Sequence, residues 1–109
     1  MNYFDCHADT LTEIADDDET LAANRRDVDL TRVAAFADCY TQLFAVWEDV
    51  ALFSPDETDA RFWACYQRAI ELLHDQADRV SLVRSAAEMH AAHEAGRAAA
   101  FLSIEDVSF

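Results

Sequence analysis

At 109 residues the chain has room for one domain of ordinary size, and its 22 Asp and Glu against 8 basic residues, every one an Arg, give a formal charge of −14. That field repels phosphate backbones and anionic lipid, which excludes nucleic acid and membrane surfaces as expected partners, while a hydrophobic fraction of 52% with one Pro and one Gly excludes a disordered acidic tail. No basic leader precedes an apolar run and no stretch approaches the roughly 20 apolar residues of a membrane span, so a cytoplasmic protein is expected.

Residues 2–8 read as a strand, with Tyr3, Asp5 and His7 on one face and Phe4, Cys6 and Ala8 on the other. Asp9 or Thr10 can cap a short helix that runs through Ile14. Residues 16–26 carry four consecutive acids and no periodicity, which predicts an exposed loop. Asp29 then caps a helix of about two turns over 30–37.

A second strand is predicted over 39–47, apolar on both faces and therefore covered on both sides, as in a parallel sheet. In "SPDE", Ser54, Pro55 and Glu57 form a capping box with Pro at the first helical position. The helix that follows places Phe62, Trp63, Tyr66, Ala69, Ile70, Leu73 and Ala77 at three- and four-residue steps, a stripe for packing on a sheet. A short extended piece, 80–83, leads to a second capping box, Ser85 with Glu88, and to a helix that ends near Gly96. "AAAFLSIE" is the last strand, with Glu105 at its carboxyl end. Strands alternating with helices imply a parallel sheet with helical crossovers. Cys6, Cys39 and Cys65, odd in number and set among apolar residues, are expected to be buried reduced thiols.

On a strand, His7 and Asp9 share a face, whereas on a helix they would point about 160° apart. The strand reading therefore makes His-x-Asp a candidate chelate for zinc or a related divalent ion. Glu105 lies at the carboxyl end of another strand, the edge where ligands gather in parallel α/β folds. The first and last strands thus bring three potential metal ligands to one edge. His74, His90 and His93 fall on helices, where surface positions are expected rather than chelation.

"FDCHADTLTEI", then "DVDLTRVAAFADCYTQLFAVW", then "AAAFLSIED" resembles the opening third of the membrane (renal-type) dipeptidase family of metallopeptidases. The resemblance implies the N-terminal portion of an amidohydrolase-like (β/α)8 TIM-type barrel, with three to four parallel strands and crossover helices over residues 1–109. It implies that His7 and Asp9 bind one zinc of a pair and that Glu105 bridges the two ions. The implied activity is hydrolysis of the peptide bond of dipeptides by a water activated between the metals, with a dipeptide as substrate and partner. A homodimer is an assembly state left open for the full-length protein. Asp5 also falls within the motif. Its side chain is expected either to point into the barrel beneath the metals, as a hydrogen-bonding support, or to be a satisfied carboxylate at a strand start.

Two departures from the family pattern stand out. Many members have Glu-Gly-Gly where this chain reads Glu105-Asp106-Val107, a bulkier and charged loop at the substrate pocket. The remaining family ligands, from later strands, have no counterpart here. A barrel takes about 250 residues, so the chain is expected to be a piece of a longer enzyme, poorly folded or self-associating and inactive by itself. The rival expectation is a small acidic α/β interaction module, or an inactive remnant, with His7 and Asp9 structurally satisfied.

Overall fold

The computed structural model describes residues 1–106 and 108; Val107, part of the departure from Glu-Gly-Gly, lies outside the described residues. In chain order the elements are strand β1 (Asn2–Ala8), helices α1 (Thr10–Glu13) and α2 (Leu30–Ala34), strand β2 (Cys39–Val46), helix α3 (Pro55–His74), strand β3 (Val80–Leu82), helix α4 (Ala86–Glu94) and strand β4 (Ala98–Ile104). The four strands form one sheet in the order β1-β2-β4-β3, every pair parallel. The expected parallel α/β sheet with crossover helices is therefore present. No described helix is long and apolar enough to cross a membrane.

The strand order dictates where the helices go. From β2 the chain passes over the place later filled by β4 to reach β3, and then returns. Crossovers between parallel strands are right-handed, so reversing the direction of travel must move the helix to the other face of the sheet. The packing agrees. Phe62, Cys65, Ala69, Leu72 and Leu73 of α3 join Tyr40, Phe44, Val46 and Ala100 in the main core on one face, with α1 and α2. Ala92 and Met89 of α4 form a smaller cluster with Val83, Ala99 and Phe101 on the other. Coverage of both faces is why β2 reads as apolar throughout.

Local signals account for most boundaries. The Glu57 carboxylate accepts from the Ser54 backbone N–H at 3.0 Å and from its hydroxyl at 2.5 Å, which starts α3 and holds the Glu57 pKa below the usual carboxylate range. Ser85 accepts from the Glu88 N–H at 3.2 Å to start α4. That helix ends in a Schellman turn: Gly96, at φ +71°, donates to His93 O and Arg97 donates to Ala92 O. A residue with a Cβ would carry strain at this φ.

Four expectations need correction. The buried stripe of α3 runs through Thr58, Phe62, Cys65, Ala69 and Leu72, which leaves Trp63 about half exposed. Trp63 packs edge-on against Phe62 and Tyr66 of its own helix instead of against the sheet. The helix also stops at His74, and Ala77 is exposed in the turn beyond it. Within the acidic loop, Leu21 is fully buried in the main core, and its carbonyl accepts from the Leu30 N–H. All three thiols are free, but only Cys65 is buried; Cys6 is exposed and Cys39 intermediate. Burial raises the Cys65 pKa, partly offset by its hydrogen bond to Thr12.

Asp29 caps α2 as expected. One carboxylate oxygen accepts from the Arg32 N–H and the other from the Asn24 N–H, both at 2.8 Å. Burial would raise the pKa of this nearly inaccessible carboxyl, but the N–H groups of Arg32, Asn24 and Thr31 together outweigh it and lower the pKa. The sign follows. A depressed folded-state pKa stabilises the fold above the unfolded value of about 3.9, and that stability is lost as pH falls through the lower, folded value. Asp29→Ala is expected to cost about 1–2 kcal/mol at neutral pH, with the difference shrinking below about pH 4. Urea denaturation of both proteins at pH 7 and pH 3 checks this; an unchanged difference at pH 3 would refute it.

Candidate metal centre

His7, Asp9 and Glu105 come together at the carboxyl edge of the sheet, where one ligand atom from each lies within 4.8 Å of the others. The strands that carry them are not neighbours. β1 and β4 flank β2, a separation of about 9–10 Å, so the side chains must lean toward each other across the end of β2. Ala45, the buried β2 residue opposite Ser103 and on the same face as Glu105, presents only a methyl there.

A bulge in β1 aims His7. Asp5 pairs with Gln42 and Ala8 with Phe44, so three steps along β1 match two along β2. Paired residues of parallel strands share a face, which puts Asp5 and Ala8 with Gln42 and Phe44 on the side covered by α1, α2 and α3. Both intervening residues, Cys6 and His7, turn to the other face, and both are exposed. The expected alternation is corrected at this point. Asp5 does not share a face with His7, and its carboxylate lies on the side of Tyr40 and α2 instead of beneath the three ligands. There it accepts the His7 backbone N–H at 3.1 Å.

Asp9 sits at the position that begins α1, yet its side chain makes no capping hydrogen bond. Thr10 does not cap either: its buried hydroxyl accepts from the Val28 N–H at 3.1 Å and ties the long loop to the strand end. The Asp9 carboxylate is thereby left for the cluster. Its Oδ1 is shut off from solvent and has no hydrogen-bond partner among the described residues.

The distances suit a small divalent ion. His7 Nε2 lies 3.4 Å from Asp9 Oδ1 and 3.9 Å from Glu105 Oε2. Zinc bonds of about 2.0–2.2 Å in tetrahedral geometry set donor atoms roughly 3.3–3.6 Å apart. Imidazole plus two carboxylates is also a donor set that zinc accepts. The His7–Asp9 pair meets that spacing as it stands, and Glu105 completes a donor set of the kind zinc takes once its exposed side chain draws in from 3.9 Å.

Around the three side chains lies an open cavity of about 400 Å³ lined also by Trp47, Glu48 and Asp49 from beyond the end of β2, and by Asp106. Its titratable lining is five carboxylates and one imidazole. Glu48 is held by Arg61 at 3.1 Å, and Arg61 in turn stacks over Phe53. Asp106, which stands where the resembled family has glycine, has φ +50°. Asp tolerates the left-handed region better than most residues with a side chain, so the charged loop keeps a backbone that glycine would favour.

The other histidines stay outside the cluster. His74 and His90 are exposed on α3 and α4. His93 is half-buried: its Nε2 lies 3.1 Å from Tyr40 O and 3.0 Å from Thr41 Oγ1. Since a carbonyl can only accept, Nε2 carries a proton and His93 fastens α4 to β2. Spacing alone did not indicate that role. Comparison with known proteins found no family model and no curated protein that matches the chain.

Proposed function

We propose that this chain carries the first metal-binding part of a zinc-dependent dipeptidase, in which His7 and Asp9 hold one zinc and Glu105 reaches the same ion and bridges to a second. One observation carries the reading: three ligand-type side chains from two non-adjacent strands converge to within 4.8 Å of one another, and the Asp9 Oδ1 among them is shut off from solvent and accepts no hydrogen bond from the described residues, with the His7 ring near it at 3.4 Å. Shutting one carboxylate oxygen off from solvent without a hydrogen bond costs free energy. A divalent cation would offset that cost and the mutual repulsion of Asp9 and Glu105.

In this reading β1, β2 and β4 are successive strands of a (β/α)8 barrel with α1, α2 and α3 in its outer ring, and β3 together with α4, which packs on the opposite face, is an addition beside the first half of β4. The cluster then faces the barrel mouth, where such enzymes bind substrate. Bound zinc supplies Lewis acidity toward the scissile carbonyl and a water acidic enough to react near neutral pH. The chain's own groups orient the site: His7 and Asp9 from β1, Glu105 from β4, and the Asp106 loop at the rim. The second ion's ligands would come from elements other than those described.

Calorimetric titration of the metal-free chain with zinc tests the proposal, with cobalt absorption reporting the ligand field. Saturable binding of one ion per chain is expected. No binding at millimolar zinc would overturn it and favour the acidic interaction module.

A further inference from the structure

The imidazole of His7 is more than half exposed, and the side chains within ionic distance of it are Asp9 and Glu105 themselves. No wall of packed side chains fixes its aim, so the backbone has to. That backbone is a bulge on β1, a strand at the sheet edge, and a bulge leaves an N–H out of the ladder. Water could satisfy such a group without fixing the peptide plane.

Here a carboxylate takes that place. Asp5 is two residues before His7, the spacing at which an Asp or Asn side chain can accept from the backbone, and its Oδ1 lies 3.1 Å from the His7 N. Asp5 is itself half-buried on the opposite face of the strand, where it lines a cavity with Arg32, Phe36 and Tyr40. One end of the bracket is therefore anchored on the side of Tyr40 and α2, and the other fixes the peptide that carries the imidazole.

We propose that Asp5 is a positioning residue for the metal site: by accepting the His7 N–H across the bulge, it aims the imidazole at the point shared with Asp9 and Glu105. The proposal rests on the metal-site reading above. It assigns Asp5 neither contact with the ion nor a role in the reaction. The hydrogen bond, rather than the charge, does the positioning, so an amide oxygen at the same place should serve.

The test compares the chain with its Asp5→Ala and Asp5→Asn variants, all confirmed as folded by circular dichroism. Asp5→Ala is expected to weaken zinc and cobalt binding by about 10–100-fold, as loss of an outer partner of a metal ligand does, and to change the cobalt spectrum. In the metal-free protein, exchange of the His7 amide proton should accelerate roughly tenfold. Asp5→Asn should restore affinity, spectrum and amide protection. Unchanged cobalt affinity or unchanged His7 exchange in Asp5→Ala overturns the proposal, as does an Asp5→Asn protein as impaired as Asp5→Ala. If the parent chain binds no metal but shows the expected exchange pattern, the metal-site reading fails while the bracket on His7 stands.

Discussion

His7→Ala and Glu105→Gln are each expected to weaken zinc binding by more than the roughly 10–100-fold that loss of an outer partner costs, and to lack the zinc-induced stabilisation expected of the parent chain. At zinc about 100-fold above its dissociation constant, binding to the folded state alone adds about 2.7 kcal/mol. For a domain of this size that is a rise in Tm of upward of about 10 °C. Neither variant should show it. Without metal, the two should behave differently from ordinary destabilised proteins. The side chains of His7 and Glu105 are both exposed and belong to neither hydrophobic cluster, so neither substitution opens a cavity. Glu105→Gln also relieves repulsion among carboxylates gathered around one cavity, so its metal-free Tm should equal or exceed that of the parent. Thermal melts of the three proteins, with zinc and with chelator, read both effects. A zinc-induced shift that survives in either variant would place the ion somewhere else.

The site was legible in the sequence because a parallel topology makes strand ends meaningful. Once residues 2–8 and "AAAFLSIE" are strands of one parallel sheet, His7, Asp9 and Glu105 must reach the same edge, and the N-caps at Ser54 and Ser85 fix the intervening helices well enough to support that topology, although the Glu88 carboxylate accepts from the Arg84 N–H rather than closing the expected box on Ser85. What lay beyond reading depends on partners. The bulge exists only as a mismatch between β1 and β2, since Asp5↔Gln42 and Ala8↔Phe44 cannot both hold in a regular ladder. Nothing in the alternation of Tyr3, Asp5 and His7 signals it. The side on which "VSL" joins the sheet is likewise set by packing against Ala98–Ala100, not by three residues of strand propensity. Asp9 has the composition of a helix cap, but its side chain is withheld from capping. Leu21 was missed because a single apolar residue in a polar run has no period to detect.

The same contrast between pattern and packing gives the largest expected effect on stability. Phe44 lies on β2, the strand paired on both sides, and its ring belongs to the main core that α1, α2 and α3 cover. It is the largest of the fully buried side chains. Truncation to Ala removes most of the ring from a site bounded by sheet on one side and helices on the other, where little can collapse inward. Phe44→Ala should therefore cost about 3–5 kcal/mol, a large part of the 5–15 kcal/mol that holds a typical domain folded. Trp63, larger still and on the helix whose periodicity nominated it for the core, should behave otherwise. Half of it is exposed, its indole N–H bonds to Asp59 one turn away, and its ring neighbours Phe62 and Tyr66 lie on the same helix. Trp63→Ala should cost about 1 kcal/mol or less. Urea denaturation of both variants at neutral pH decides the matter. If Trp63→Ala proved as damaging as Phe44→Ala, the buried stripe of α3 would have to be rotated to bring Trp63 onto the sheet, and the register of that helix against β2 would be wrong.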